Sequence, residues 1–320
     1  MNINAIDSAA NLLLTKMLCI KPDEELWVIT DFLGSEPGLD AIMRTSNRMN
    51  IDTKLLKIPR LKKNGEELPK TIYSTRSPGS PLIAYTSLSL SSTHFRRQVC
   101  SDGGRFYSIP GGESTLLILN VDQNDFEIMT KRGKILQKAV EAANCVELKF
   151  LNGNIKIPLI NRLVRLDLGI CKTPGSFASP SFEVNTVPKE YASHGSISAI
   201  AIIPELGLFE SDLFLEVIGG VLTGEAHSEN SKDLIKWKQF LSRVDSRMLR
   251  IAELGFGLNH CIFFPSESYI ANESVWGTIH IGIGRNITLG GYFNAQGHLD
   301  IIMKPTQTLI GDNNIVDIIE

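Results

Sequence analysis

The hydrophobic pattern of this chain changes partway along, and this change limits the folds that the chain can adopt. A buried-strand pattern at 25–30 is followed by a helix that begins at Pro37 and by a second strand pattern at 51–58. This βαβ order predicts a parallel sheet with a right-handed crossover. From residue 146 onward, apolar residues alternate on both sides of Asn152-Gly153, which is a strong signal for an antiparallel hairpin.

The other segments extend both patterns. Further strands are predicted at 82–87 and 115–121, followed by a long amphipathic helix over 128–143, while the stretches 62–80 and 102–112 have the composition of surface loops. In the second half, alternation leads up to Gly219-Gly220, and one helix is expected near 234–244. We therefore predict an α/β protein with an N-terminal open α/β domain and a largely parallel sheet (1–160). A C-terminal α+β domain rich in hairpins follows (161–320).

Bulk properties narrow the class of protein. A length of 320 residues fits two domains, and a net charge of −3 gives no electrostatic reason to expect nucleic acid or an anionic membrane as a partner. The first residues have the pattern of an amphipathic helix and not of a signal peptide, and no apolar run approaches the length of a membrane span. The five cysteines are scattered, which indicates free thiols and predicts a cytoplasmic location.

Acidic and histidine side chains in the last seventy residues have a spacing suited to binding metal. His298 and Asp300 lie two apart in a strand-like run, so they project from one face. His280 alternates with three isoleucines, which places it on the opposite face beside small neighbours. Glu253 stands in an apolar run followed by two glycines, and a carboxylate in such a place needs a partner.

These stretches resemble the aminopeptidase T family of metallopeptidases and its relatives. The resemblance covers most of the chain and is carried chiefly by the runs 252–257 (AELGFG), 277–281 (GTIHI) and His298-x-Asp300, with weaker likeness at 20–24 and 142–146. It implies metal ligands at Glu253, His280, His298 and Asp300 and one further glutamate. Glu113 matches that glutamate's local motif better, but Glu183 has the right spacing before Glu253, so we assign Glu183.

The resemblance implies a hydrolase that acts on a short peptide or amide and that works as a homodimer. The shortened loops of this chain indicate a specialised substrate, within a biosynthetic pathway. Two divalent ions, Zn, Co or Mn, would be held by the five residues, with Glu253 also assisting as a base. A short peptide or small molecule is the expected substrate, with no nucleic acid or membrane partner.

Departures from the family pattern keep two alternatives open. A tyrosine expected a few residues after His280 is replaced by Arg285-Asn286-Ile287, Tyr292 is the only nearby substitute, and the segment from His280 to His298 is short. The family also includes 2,5-dihydroxypyridine dioxygenases, and one Fe(II) held by His280, His298 and Asp300 would fit that chemistry. A third possibility is a catalytically inactive protein that binds a peptide or small molecule.

Overall fold

The computed structural model describes residues 3–204, 206–266 and 268–319, which form two compact units. The first unit comprises the residues up to 125 together with 168–181, and the second comprises 126–167 together with the residues from 182 onward. Both units are discontinuous in sequence, whereas the sequence analysis divides the chain once, after residue 160.

The helices and strands are numbered in chain order. The helices are α1 Ile3–Leu12, α2 Pro37–Arg48, α3 Lys70–Tyr73, α4 His94–Ser101, α5 Glu113–Leu116, α6 Gln123–Ala142, α7 Ser231–Leu241, α8 Tyr269–Ser274 and α9 Ile315–Ile319. A π-helical turn follows α1 at Leu13–Met17, and short 3-10 turns lie at Leu117–Leu119, Ser246–Leu249 and Ile287–Leu289. The strands are β1 Glu25–Thr30, β2 Asp52–Lys57, β3 Leu82–Thr86, β4 Phe106–Pro110, β5 Cys145–Phe150, β6 Gly153–Pro158, β7 Arg165–Asp167, β8 Phe177–Ala178, β9 Glu183–Thr186, β10 His194–Ile203, β11 Gly207–Ile218, β12 Val221–His227, β13 Ile251–Gly257, β14 Ile279–Gly284, β15 His298–Met303, β16 Gln307–Ile310 and β17 Asn313–Asn314.

The first unit is built on a parallel sheet in the order β2-β1-β3-β4-β8. Helix α2 begins at Pro37, whose fixed φ suits a first helical position, and it buries Leu39 and Ile42 on one face. The βαβ pattern in the sequence therefore folds as predicted, and the parallel N-terminal sheet is confirmed.

Two predictions in this unit are wrong. Residues 115–121, predicted as a strand, form the end of α5 and the 3-10 turn Leu117–Leu119. Residues 106–110 lie in a stretch whose glycine-rich composition predicts a surface loop, but they form β4 of the parallel sheet. All five residues of β4 are buried. A short apolar run fits a strand and a buried helical turn equally well, so periodicity could not separate the two.

The second unit is built on a curled antiparallel sheet in the order β17-β16-β5-β6-β10-β15-β14-β13-β9-β7, with β11 and β12 branching from β10. The predicted hairpin at Asn152-Gly153 joins β5 to β6, and Gly219-Gly220 joins β11 to β12. Strands β13 and β14 are buried along their whole length. The α/β class with a hairpin-rich C-terminal half is confirmed.

Strand β13 contains a β-bulge beside the residues of interest. Ile251 pairs with Ile283, whereas Glu253 pairs with Gly282, so Ala252 is the extra residue. Ile251 and Glu253 therefore project from opposite faces, although residues two apart in a regular strand share a face. The bulge buries an apolar side chain on one face and turns the carboxylate to the other.

Two further sequence features can be compared with the structure. All five cysteines are free thiols. Within the described ranges, no helix has both the length and the apolar character that crossing a bilayer requires.

Candidate metal centre

Four neighbouring strands of the second unit carry the residues that the motifs singled out. Glu183 begins β9, Glu253 lies on β13, His280 on β14, and His298 and Asp300 on β15. In the middle of the sheet, Glu253, Gly282 and Asp300 lie opposite one another across three strands. Directly opposed residues project from the same face, so this register brings the carboxylates of Glu253 and Asp300 together.

The five side chains form two overlapping groups that could each hold a metal ion. Glu183, Glu253 and His280 make up the first group, and Glu253, His298 and Asp300 make up the second. Within each group the potential ligand atoms all lie within 4.8 Å of one another. Glu253 belongs to both groups, which is the arrangement expected of a carboxylate shared by two ions.

Close contacts between the members define the geometry. Glu183 Oε2 lies 3.3 Å from His280 Nε2, and His298 Nε2 lies 3.1 Å from Glu253 Oε2 and 3.2 Å from Asp300 Oδ1. Glu253 and His280 are buried. Among the described residues, no group within this distance contains both histidines together with Asp300, the three residues of the single-iron alternative.

Two glycines leave the space that the histidine rings occupy. A Cβ atom on Gly255 would lie 2.0 Å from His280 Nε2, and one on Gly282 would lie 2.6 Å from the His298 ring and 2.7 Å from Glu253 Cβ. Any side chain at either position would collide with the ring, because non-bonded heavy atoms settle at about 3.5–4.0 Å. Glycine is therefore required at both positions by the neighbouring histidine.

The His298 ring is oriented by the backbone. Its Nδ1–H donates to the carbonyl oxygen of Arg285 at 2.7 Å, which leaves Nε2 directed at the two carboxylates. Histidines that bind metal are usually held in this way by a second acceptor. Burial by itself lowers the pKa of His298, but the charges and hydrogen bonds of Asp300 and Glu253 outweigh it and raise that pKa well above its ordinary value.

The carboxylates respond differently to the same surroundings. Burial raises the pKa of Glu183 to about 7, and the neighbouring charge of Glu253 adds to this rise despite the opposing effect of His280. Burial would also raise the pKa of Asp300, yet the charge and hydrogen bond of His298 lower it below its usual value. Glu183 Oε2 is buried and accepts no hydrogen bond. A buried carboxylate oxygen of this kind is costly unless a cation or a proton satisfies it.

Helix α8 adds two residues that the sequence analysis missed. Burial, and then the charge of Asp300, raise the pKa of Glu273 well above its ordinary value, and Glu273 shares a hydrogen bond with Asp300. Tyr269 lies one turn earlier on the same helix face, and its pKa is raised by burial and by the charges of Glu273 and Asp300. A helix of six residues is too short to show a period, so no sequence signal marked either residue.

The tyrosine that the family pattern led us to expect has no replacement at the predicted place. Asn286 is buried, donates to Ala252 O at 3.3 Å and accepts from the Phe293 backbone N–H at 2.7 Å, so it holds a loop and not a ligand. Tyr292 is 80% exposed and lies beside Arg162. Tyr269, in contrast, is close enough to Glu273 and Asp300 for their charges to raise its pKa.

The fold and the site together define a class: a two-unit α/β protein whose antiparallel sheet carries candidate metal-ligand groups on its central strands. By sequence, no family model and no curated protein matches the chain.

Two solved structures share the fold over nearly the whole chain. The 2,5-dihydroxypyridine dioxygenase from Pseudomonas putida KT2440 matches with a TM-score of 0.77 and 15% identity, over 98% of this chain and 96% of that one. Wild-type AmpT from Thermus thermophilus matches with a TM-score of 0.64 and 12% identity, over 95% and 94%. The resemblance drawn from the motifs is thereby confirmed at the level of the fold.

Proposed function

We propose that this chain is a metal-dependent hydrolase that acts on a short peptide or amide with two divalent ions. The observation that carries the proposal is the pair of overlapping ligand groups that share Glu253. A shared carboxylate between two three-residue groups is the protein side of a two-ion site, whereas a single-ion site needs one group only.

The residues fit such ions chemically. Three carboxylates and two imidazoles offer the mixed oxygen and nitrogen donors that suit Zn, Co or Mn. Glu183, Glu253 and Glu273 affect one another's charge in a buried space, and carboxylates packed together in this way repel unless protons or cations balance them. Cations would remove both this repulsion and the unsatisfied state of Glu183 Oε2.

Different residues of the site would have different roles in the reaction. Bound ions would supply a polarised carbonyl and an acidic water. Glu183 and His280 would hold one ion and His298 and Asp300 the other, and Glu253 would contribute to both groups. Glu253 was assigned as a base from the sequence, but its shared position favours a bridging role. Glu273, whose pKa is raised by burial and by the charge of Asp300, would donate the proton that a leaving amine needs.

A second candidate function is ring cleavage with a single Fe(II). Its support is the TM-score of 0.77 to the dihydroxypyridine dioxygenase, against 0.64 for AmpT, and the absence of the expected tyrosine after His280. The iron would then be held by Glu253, His298 and Asp300, since these three form a group and the two histidines with Asp300 do not. We rank it second because it leaves Glu183 and His280 without a role. Binding of a peptide or small molecule without turnover ranks third.

Elemental analysis of protein purified without chelator tests the proposal. The variant to compare is the double substitution H298A with D300A, and H227A is the matched control because His227 is exposed and outside both groups. About two equivalents of Zn, Mn or Co, reduced in the double variant and kept in H227A, support the hydrolase. One equivalent of iron would replace it with the dioxygenase. No metal after reconstitution would leave only the binding protein. The homodimer and the cytoplasmic location remain part of the proposal.

A further inference from the structure

The loop at 285–297 joins β14 to β15, the strands that carry His280 and His298, and arginines surround it. It begins with Arg285, and four arginines from other segments contact it. Arg165 donates to Thr288 O, Arg247 donates to Asn294 O, Arg162 lies over the Tyr292 ring and Arg250 lies over the Phe293 ring. The loop itself contains no acidic residue.

The positive charge around this loop is only partly balanced. Arg162 is paired with Glu190 at 2.7 Å, and Arg247 is paired with Asp245 at 2.7 Å. Within the described part of the chain, Arg165, Arg250 and Arg285 have no carboxylate within 4.0 Å. Three uncompensated guanidinium groups beside one loop, in a chain of net charge −3, create a local site for an anion.

Arg250 is the best oriented of the three. Its guanidinium carbon lies 5.2 Å from the centre of the Phe293 ring and 5.6 Å from that of Tyr191, and the two rings meet edge to face at 5.3 Å. Phe293 is buried and Tyr191 is 57% exposed, so the guanidinium rests on a ring pair at the surface. A guanidinium stacked on rings keeps its N–H edge free for a planar anion.

The backbone holds this ring cluster in place. Tyr191 has a φ of 57°, in the left-handed region that costs a side chain other than glycine about 1–2 kcal/mol. A Cβ atom on Gly220 would lie 3.0 Å from the backbone nitrogen of Tyr191, so the two backbones are packed tightly. Strain of this kind persists only when the surroundings enforce it, and it is found most often at binding sites.

Arg250 lies on the same face of the sheet as the candidate metal ligands. The ladder of β13 with β14 begins with Ile251 opposite Ile283, so continuing its register by one residue brings Arg250 opposite Gly284, whose backbone N–H donates to Arg250 O at 2.8 Å. Gly284 lies opposite His298 in turn. Opposed residues share a face and neighbouring strands are about 4.8 Å apart, so the backbones of Arg250 and His298 are separated by roughly 10 Å. A short peptide is long enough to span this distance.

We infer that Arg250, stacked on Tyr191 and Phe293, binds a carboxylate of the substrate and thereby selects short peptides that carry a free carboxylate. This inference rests on the proposed function, since the ligand that reaches from the ions to Arg250 is the peptide proposed above. The carboxylate is either the C-terminus of the peptide or an acidic side chain, and both present the same planar pair of oxygens to the guanidinium.

Affinity selection from two tetrapeptide libraries tests the inference. Both libraries are randomised; one has free C-terminal carboxylates and the other has C-terminal amides, and the full-length protein selects from each on ice before mass spectrometry. We expect peptides that carry a carboxylate to be enriched about tenfold or more over neutral amides. Enrichment confined to the free-acid library assigns the C-terminus, and enrichment of Asp and Glu in both libraries assigns a side chain.

Matched variants keep the result interpretable. R250Q should lose the enrichment and R250K should keep only part of it, because lysine retains the charge without the planar fork. R247Q is the control, since Arg247 contacts the same loop but is already neutralised by Asp245. If R250Q does not fold, R250K carries the test.

Equal recovery of peptides with and without a carboxylate, recovery of neither, or equal losses in R250Q and R247Q would each overturn the inference. Metal content is measured on the same preparations. Metal-free protein that still shows the Arg250-dependent preference overturns the proposed function alone.

Discussion

Replacing Gly255 with alanine places a methyl group in the space that the His280 ring occupies. The new Cβ atom would lie 2.0 Å from Nε2 and 2.1 Å from Cε1, so the ring has to move by about 1.5 Å to restore van der Waals contact. Metal-ligand distances tolerate changes of only about 0.2 Å. We therefore expect G255A to lose the ion of the group that contains Glu183, Glu253 and His280. We also expect its free energy of unfolding to fall by about 1–3 kcal/mol, the usual cost of overpacking a core.

Elemental analysis and thermal unfolding measure both effects. For a unit of this size each kcal/mol lowers Tm by about 2–4 °C. G297A is the matched control, because Gly297 is adjacent to His298 but its new Cβ would make only ordinary contacts with Met248, at 3.7 and 3.9 Å. If G255A and G297A hold the same metal and unfold within 1 °C of each other (about 0.3–0.5 kcal/mol), the role assigned to the glycine is refuted.

Three further predictions concern protons and thiols. Without metal, Glu183, with a pKa of about 7 in place of 4.5, and His298, whose pKa is also raised, hold protons more tightly than the unfolded chain does. Their stabilising contribution is therefore complete at low pH and is lost as the pH rises. Tm measured in EDTA should fall between pH 4.5 and about 7, whereas Tm measured with Zn should not. Parallel dependences of Tm on pH with and without Zn would contradict this. E273Q should retain its metal but lower kcat by about 100-fold, and unchanged turnover would remove Glu273 from the mechanism. Because burial raises the pKa of the Cys171 thiol to about 11, iodoacetamide at pH 8 should modify Cys171 at least about tenfold more slowly in the folded protein than in urea; equal rates would show that the thiol is open to solvent.

Sequence patterns predicted those parts of the fold in which local signals agree with tertiary packing. The βαβ unit from Glu25 to Lys57 and the hairpin at Asn152-Gly153 each have a period and a turn residue that point to one structure. Strand β4 was not predicted, because five residues between glycine-rich segments are too few to show a hydrophobic period. The structure identifies it as a central strand, since it is buried on both faces.

The sequence predicted some residues of the candidate site and missed others. Alternation alone placed His298 and Asp300 on one face, and the family resemblance added Glu183 by its spacing. The structure brings Glu183 to within 3.3 Å of His280, a distance between strands that one sequence does not reveal. Glu273 and Tyr269 enter the site through a single short helix, and only the packing of that helix against the sheet identifies them.

The bulge in β13 determines which side chains the site can present to a ligand. If the ladder were regular and Glu253 kept its place opposite Gly282, Ile251 would lie opposite Gly284 and Arg250 would turn to the other face. The one extra residue therefore reverses the face to which each side chain before the bulge points. Substitutions along β13 change single contacts, whereas the gain or loss of one residue there would exchange a cationic neighbour of the site for an aliphatic one.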